Sequence, residues 1–117
     1  MKYLALIYAD ESLDKDATPA QQKAVIDEYG VYEGWLATKP GKRLGGEALL
    51  PTSTAKTIRI RDGKTTITDG PFAETKEHLG GFYLLEADSL EEAIELAQAI
   101  PSAKVGCVEV RPIMTFD

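Results

Sequence analysis

The sequence contains one cysteine, one histidine and one tryptophan among its 117 residues. The single thiol, Cys107, can neither close an intrachain disulfide nor supply a cysteine framework for zinc, which favours a reducing compartment. The longest apolar runs, such as residues 4–9, are far shorter than the roughly 20 residues that cross a bilayer. The strand-like segment directly after Lys2 does not resemble a signal peptide. We therefore expect a cytoplasmic protein without a membrane span.

Positive charge is also scarce in this chain. It has 13 Lys and Arg residues against 19 Asp and Glu residues, which gives a net charge of −6. Proteins that bind nucleic acid or an anionic membrane place positive charge against phosphates, so this balance argues against both kinds of partner. The length is that of one ordinary domain, and a 44% share of hydrophobic residues is enough for a core. We expect a single domain over residues 1–117.

Two segments, residues 3–9 and 81–87, have large apolar side chains on both alternating faces. This pattern is typical of a strand at the centre of a sheet that is covered on both sides. Residues 43–50, which contain a glycine pair, and residues 105–111, which alternate between apolar and polar, are predicted to be further strands. Residues 10–17 are polar and are predicted to be a loop.

Two helices are predicted from the signals at their ends. A capping box opens the first helix at Thr18, and the helix should end near Thr38, because Pro40 disfavours helical dihedrals in the residue before it. A second capping box opens another helix at Ser89, and Pro101 ends it. The inward face of the first helix is predicted to consist of Val25, Tyr29, Tyr32 and Leu36.

A β-hairpin is predicted around Asp62 and Gly63, which separate the alternating segments 57–61 and 64–68. An Asp-Gly pair favours a type I′ turn, because both central positions of that turn need a positive φ. The register that follows from this turn pairs Ile58 with Ile67 and Ile60 with Thr65.

Without the hairpin, the element order is βαββαβ, the ferredoxin-like arrangement of an α+β fold. Both helices should cover one face of its antiparallel sheet, because such crossovers are right-handed. The other face would then expose apolar side chains, which a second subunit can cover. We therefore expect a homodimer with the two sheets packed face to face. The candidates for the covered surface are Tyr3, Tyr8, Phe82 and Tyr83.

The run DGPFAETKE at residues 69–77, followed by GGFYLLE, resembles the signature of the DGPF-type branch of the YCII-related proteins. The resemblance extends to MKYLALIYADE, GGEALLP, TIRIRDGK and VEVRPIM, and so covers nearly the whole chain. It implies a dimeric ferredoxin-like fold, or dimeric α+β barrel, with a cleft between helices and sheet that has been suggested as an active site. Relatives of this branch are often encoded beside extracytoplasmic-function sigma factors, which implies a link with regulation.

Titratable side chains are concentrated in this motif segment. Close carboxylates raise one another's pKa and a nearby lysine lowers it, so such a cluster can hold an acid and a base near neutrality. The residues that we predict to be catalytic are Asp69, Glu74, Lys76 and His78. The residues that we predict to bind a ligand are Tyr29, Phe72, Glu77 and Arg111, with Arg111 paired to Asp69 or Glu74. A plainer alternative is a turn in which Phe72 fills the core and the charges are solvated.

His78 is the only imidazole of the chain and the natural general base. Some YCII-related enzymes are thought to use a histidine and aspartate pair with the histidine on the first helix, but this chain has no histidine between Pro19 and Thr38. The motif carboxylates and His78 suit hard metal ions, yet their spacing matches neither an EF-hand nor an H-E-x-x-H pattern, so no metal site is predicted. The glycine pairs lack the G-x-G-x-x-G spacing of a dinucleotide site, and the residues identify no cofactor.

Two functions are consistent with these features. The first is a small-ligand-binding or regulatory module, linked through the family resemblance to extracytoplasmic-function sigma factors. The second is a small enzyme that carries out acid/base proton transfer or elimination in the cleft near the motif. The absence of a histidine from the first helix favours the binding function. The concentration of polar groups in one motif is still consistent with catalysis.

Overall fold

The computed structural model describes residues 1–116. Short 3-10 helices lie at Thr52–Thr54 and Pro101–Lys104. No helix in this described part is both long and apolar enough to cross a membrane. In chain order, the strands and α-helices are β1 (Lys2–Ala9), α1 (Glu11–Lys15), α2 (Pro19–Ala37), β2 (Arg43–Ala48), β3 (Lys56–Arg61), β4 (Lys64–Asp69), β5 (His78–Glu86), α3 (Leu90–Gln98) and β6 (Cys107–Pro112).

The main sheet is antiparallel, with strand order β2-β5-β1-β6. The two segments predicted to be central strands, β1 and β5, are the central pair of this sheet. Their position confirms the inference from their apolar faces, because a central strand meets packed layers on both sides. Helices α2 and α3 supply side chains to one core on the same face of the sheet. The chain therefore has the ferredoxin-like βαββαβ fold of the α+β class, with β3 and β4 as an inserted hairpin.

The polar segment after β1 differs from the prediction. Residues 10–17 contain α1, whose first turn is capped by Asp10. The Asp10 carboxylate accepts hydrogen bonds from the backbone nitrogen of Ser12 at 2.9 Å and from its hydroxyl at 2.7 Å. The helix has only five residues, none of them buried. It carries no apolar stripe, so periodicity could not reveal it.

The predicted start of α2 is confirmed in atomic detail. The backbone nitrogen of Gln21 donates to Thr18 Oγ1 at 3.1 Å, and the backbone nitrogen of Thr18 donates to Gln21 Oε1 at 2.8 Å. The predicted inward face is right for Tyr32 and Leu36, which are buried, but wrong for Val25, which is exposed. Val25 is on the same helical stripe, so this stripe extends beyond the part of α2 that the core covers.

The hydrophobic core lies between the helices and one face of the sheet. Tyr32 donates from its hydroxyl to the backbone oxygen of Leu96 at 2.8 Å, and this bond ties α2 to α3. The Tyr83 hydroxyl donates to Glu33 Oε1 at 2.8 Å. The buried hydrophobic residues are Tyr3, Ala5, Ile7, Tyr32, Leu36, Tyr83, Leu85, Ala87, Ala93, Leu96, Ala97 and Ile100.

The opposite face of the sheet, which we call the outer face, takes no part in the core that α2 and α3 cover. Tyr3 and Tyr83 were among the candidates for this face, but both belong to the helix-covered core. Both faces of β1 and β5 are apolar, so the sequence did not reveal which of them the helices cover. The central outer-face side chains are Leu4, Leu6, Tyr8, Phe82 and Leu84, all half-buried.

The hairpin of β3 and β4 forms a two-stranded sheet of its own. The predicted register is confirmed: Ile58 lies opposite Ile67 and Ile60 opposite Thr65. The turn is also as predicted, because Asp62 has a φ of 51° and Gly63 a φ of 76°. Every residue of β4 is exposed.

Candidate functional site

The site is built where β1 ends beside the start of β5. Ala9, the last residue of β1, lies opposite His78, the first residue of β5. The two residues that follow β1, Asp10 and Glu11, therefore lie close to this imidazole. Antiparallel pairing thus brings together an acidic segment from the start of the chain and the end of the motif, which are far apart in sequence.

Glu11 fixes one wall of the site. Its carboxylate accepts from the Thr52 backbone nitrogen at 2.8 Å and from the Thr52 hydroxyl at 2.7 Å. These two hydrogen bonds lower the pKa of Glu11, and the charge of His78 adds to the effect. The pKa of Asp10 is also lowered, first by its bonds to Ser12 and then by the charges of Lys76 and His78. Both carboxylates are thus held ionised next to His78.

The motif loop, residues 70–77, is anchored to the base of the hairpin. Gly70 has a φ of 87°, a conformation that favours glycine, and its nitrogen donates to the backbone oxygen of Ala55 at 2.8 Å. The Thr57 hydroxyl donates to the Gly70 backbone oxygen at 2.8 Å. The hydroxyl of Thr75 donates to the backbone oxygen of Glu77. These bonds hold the loop beside the 3-10 helix that Glu11 anchors.

A cavity of 560 Å³ lies between the motif loop and the segment that follows β2. Its walls are largely apolar, and its polar side chains come from the ends of β1 and β5, from the motif loop and from the hairpin base. Its lining includes Tyr8, Leu49, Leu50, Thr52, Phe72, Thr75, Glu77, His78 and Leu79. We call this space the motif cavity.

A second, more open depression of 960 Å³ lies on the outer-face side of the motif loop. It shares Tyr8, Thr75 and Glu77 with the motif cavity, so these three side chains form the boundary between the two spaces. It also contains Lys76 and Cys107. The motif loop therefore separates the motif cavity on one side from the open depression on the other.

The structure brings together part of the predicted site. Phe72, Glu77 and His78 line the motif cavity, and Lys76 lines the second depression. Glu74 is exposed on the loop between them. Phe72 is 80% exposed, so the alternative in which it fills the core is wrong.

Asp69, Tyr29 and Arg111 have partners elsewhere. Asp69 forms an ion pair with Lys56 across the hairpin. The Tyr29 hydroxyl lies 2.6 Å from Ser102 Oγ, on the helix-covered side. Neither Tyr29 nor Arg111 is among the side chains that line the two spaces.

The predicted pairing of Arg111 with Asp69 or Glu74 is wrong. Arg111 Nε donates to Glu109 Oε2 at 2.9 Å, two residues away on β6. Arg111 lies opposite Leu4, whereas the motif end of the same strand lies opposite Tyr8. Four residues of strand separate these positions by about 13 Å, so the guanidinium is too far along the sheet to reach the loop.

Several site residues escaped the sequence analysis, above all Tyr8, Glu11 and Thr52. Each sits outside the motif, and only the pairing of β1 with β5 and the Glu11 bonds bring them to it. The sequence did contain one signal for Glu11: the acidic pair Asp10-Glu11 directly follows β1, at the end of the sheet where β5 begins. Within residues 1–116, no group of three or more His, Cys, Asp or Glu side chains is arranged to hold a metal ion.

Comparison with known proteins identifies the family. The uncharacterised protein R00369 of Rhizobium meliloti (strain 1021) is 36% identical over 118 residues, which span 99% of this chain and 94% of that protein. Among solved structures, the 5-chloro-2-hydroxyhydroquinone dehydrochlorinase TftG of Burkholderia phenoliruptrix AC1100, in complex with 2,5-dihydroxybenzoquinone, has a similar fold. Its TM-score is 0.52 at 17% identity, over 97% of this chain and 94% of that one. A sequence profile of the YCII-related domain matches residues 1–117, and the chain belongs to that family.

Proposed function

We propose that this protein binds a small, flat aromatic or quinoid molecule in the motif cavity. The observation that carries the proposal is the cavity itself, whose 560 Å³ is of the size that ligand sites commonly have. Ligand sites combine mostly apolar walls with a few convergent polar groups, and this cavity has both.

The lining chemistry fits a flat ligand with oxygen substituents. Leu49, Leu50 and Leu79 provide apolar walls, and the exposed ring of Phe72 can stack on an aromatic face. At the other side, Tyr8 and His78 offer a hydroxyl and an imidazole that can exchange hydrogen bonds with phenolic or carbonyl oxygens. The fold-level similarity to a protein crystallised with 2,5-dihydroxybenzoquinone supports the same class of ligand.

The most direct experiment is a thermal-shift titration with 2,5-dihydroxybenzoquinone, in a Cys107→Ser background that removes the reactive thiol. Binding should raise the melting temperature in a saturable way, because a ligand of the folded state stabilises it by mass action. Phe72→Ala should weaken binding about tenfold through the loss of an aromatic contact. The matched control is Phe116→Ala, since Phe116 is equally exposed but does not line the cavity.

Two outcomes would contradict the binding proposal. One is a melting temperature that does not change with ligand concentration. The other is an equal loss of affinity in Phe72→Ala and Phe116→Ala, which would place the binding outside the motif cavity.

A second function, acid/base catalysis in the same cavity, is favoured by the position of His78. The imidazole lies at the start of β5, close to Asp10 and Glu11, and its charge helps to lower the pKa of both carboxylates. In its neutral form this imidazole can accept a proton from a phenolic ligand, and the ionised carboxylates then stabilise the imidazolium that results. The related fold of a dehydrochlorinase is compatible with elimination chemistry here.

The test of this second function is chloride release from a chlorinated hydroxyhydroquinone. His78→Gln should abolish release while 2,5-dihydroxybenzoquinone still binds, because Gln keeps the shape but cannot take the proton. Undiminished release by His78→Gln would contradict the role of His78 as the base, and no release by the unaltered protein would leave binding as the function.

We also propose that the protein is a homodimer whose outer faces pack together. Leu4, Leu6, Phe82 and Leu84 occupy the middle of this face and are only half-buried by residues 1–116. A second copy related by a two-fold axis would bury the same patch from both sides. Sedimentation velocity at tens of micromolar should show a dimer, and Leu6→Asp should shift it to the monomer.

A cytoplasmic regulatory setting is the wider role that we propose for such a binding module. It rests on the family resemblance, whose branch is often encoded beside extracytoplasmic-function sigma factors, and on the single cysteine. The net charge of −6 favours a protein partner over direct contact with nucleic acid. Ligand-dependent co-purification with an extracytoplasmic-function sigma factor of the same organism would support this role, and its absence would contradict it.

A further inference from the structure

The hairpin carries an uncovered apolar row. Ile58, Ile60 and Ile67 share one face, and their exposed fractions are 63%, 62% and 63%. The hairpin is a two-stranded sheet separate from the main sheet. An isolated two-stranded hairpin is at best marginally stable in water, and three large apolar side chains on one face call for a partner surface.

The charge of the hairpin is opposite to that of the rest of the chain. Residues 56–69 contain four of the 13 basic residues but only two of the 19 acidic ones, a net charge of +2. The remaining residues carry nine basic and 17 acidic side chains, a net charge of −8. Complementary potentials steer association and suppress wrong partners. Arg59, Arg61 and Lys64 lie on the hairpin face opposite the isoleucine row. Their charge can therefore attract the acidic body of a second copy at long range while the apolar face makes the contact.

The mouth of the motif cavity is the matching apolar surface. Phe72 and Leu50 at this mouth are 80% and 77% exposed. In the same copy the isoleucine row does not cover this mouth: Lys56 and Thr57 at the hairpin base line the cavity, whereas Ile58, Ile60 and Ile67 do not. The radius of gyration, 16.3 Å, also exceeds the roughly 13 Å of a compact chain of this length, as an outstretched hairpin requires.

From these observations, we propose that the hairpin of each copy packs its isoleucine row over the cavity mouth of the other copy. The contact is reciprocal, as a two-fold axis requires, and it extends the outer-face interface proposed above, on which it rests. Each motif cavity is then complete only in the dimer, with Ile60 and Ile67 of the hairpin from the second copy closing its mouth. Ligand binding and dimerisation are thereby coupled.

Site-directed cross-linking tests the contact without a ligand. In the Cys107→Ser background, protein carrying Ile60→Cys is mixed with protein carrying Leu50→Cys and treated with a short bismaleimide. We expect a cross-linked heterodimer in high yield. The matched control replaces Ile60→Cys with Arg59→Cys, which lies one residue away on the opposite hairpin face and should give little product.

Sedimentation of two neighbouring variants provides the second measurement. Ile67→Asp should raise the dissociation constant of the dimer about tenfold, because it places a charge in an apolar contact. Thr66→Asp adds the same charge on the other face of the same exposed strand and should leave the constant unchanged. Both substitutions are on the surface, and unchanged far-ultraviolet circular dichroism shows that the variants fold.

The results separate this proposal from the dimer on which it rests. Sedimentation of the unaltered chain as a monomer would overturn both. A dimer whose dissociation constant is the same in Ile67→Asp and Thr66→Asp, with equal cross-linking from Ile60→Cys and Arg59→Cys, would overturn the hairpin contact alone. A tenfold difference together with selective cross-linking supports it.

Discussion

The helix-covered half of the molecule and the motif end differ in how deeply their apolar side chains are buried. In the helix-covered half, Leu36 and Leu85 are completely buried, and the hydroxyls of Tyr32 and Tyr83 have partners. At the motif end, Phe72 and Leu50 are exposed around an open cavity. Close packing stabilises a fold, whereas exposed apolar groups beside polar ones are typical of binding surfaces. The packing that stabilises the fold and the binding that we propose thus lie in separate regions of one small chain.

The largest expected effect is the loss of a core side chain. Leu36→Ala should lower the free energy of unfolding by about 2–5 kcal/mol, because it removes transfer free energy and leaves a cavity. Val31→Ala on the same helix should change it by less than about 0.5 kcal/mol, since Val31 is exposed. Urea unfolding of both variants measures the difference, and similar losses would contradict the division into two regions.

A close backbone approach should give the next largest effect. A Cβ atom at Gly106 would lie 2.0 Å from the backbone oxygen of Tyr8, so Gly106→Ala must move β6 away from β1. We expect a loss of about 1–3 kcal/mol. Gly30 in α2 has nothing within 4 Å of such a Cβ, so Gly30→Ala should instead stabilise the helix by about 0.5–1 kcal/mol. Calorimetric melting temperatures should therefore move in opposite directions, and a shift in the same direction would contradict this account.

The buried tyrosines predict a loss of stability in alkali. Burial raises the pKa of Tyr83, and its hydrogen bond to Glu33 raises it further. Because the folded-state pKa lies above that of the unfolded chain, this contribution is complete below about pH 10 and is lost as the pH rises beyond it. Tyr83→Phe should cost about 1 kcal/mol at neutral pH and make the alkaline decline shallower. An unchanged alkaline slope in urea unfolding would contradict this prediction.

At the motif end, the smallest effect should appear in acid. The Thr52 bonds lower the pKa of Glu11, so its stabilising contribution is present above the ordinary glutamate pKa and is lost as the pH falls below it. Glu11→Gln should reduce the acid dependence of the unfolding free energy below about pH 4.5. Glu47→Gln, on exposed β2, should leave the profile as it is. Identical profiles for both variants would show that Glu11 does not anchor the cavity wall.

Much of the fold was predictable because its signals are local. The capping box at Thr18 and the Asp62-Gly63 turn depend on residues three or fewer positions apart, and both are confirmed. The central position of β1 and β5 followed from apolar residues on both faces. The choice of the covered face was not predictable, because Tyr3 and Leu4 are equally plausible core residues until the helices are in place.

The site was less predictable because it depends on contacts between distant residues. Three of the predicted motif residues, Phe72, Glu77 and His78, line one cavity, and their functional roles stay predictions. Glu11 could not be found in this way, because it joins the site through Thr52, 41 positions further along the chain. Arg111 shows the opposite case. Strand β6 begins near the motif, but Arg111 lies four residues further along it, too far away to reach the loop.

The most direct test of the central claim is a map of backbone amide chemical shifts during titration with 2,5-dihydroxybenzoquinone. We predict saturable shifts in residues 49–57 and 71–79, which form the walls of the motif cavity, with α2 and α3 unaffected. Saturable shifts confined to the helices, or none at ligand concentrations up to the millimolar range, would contradict the assignment of binding to the motif end.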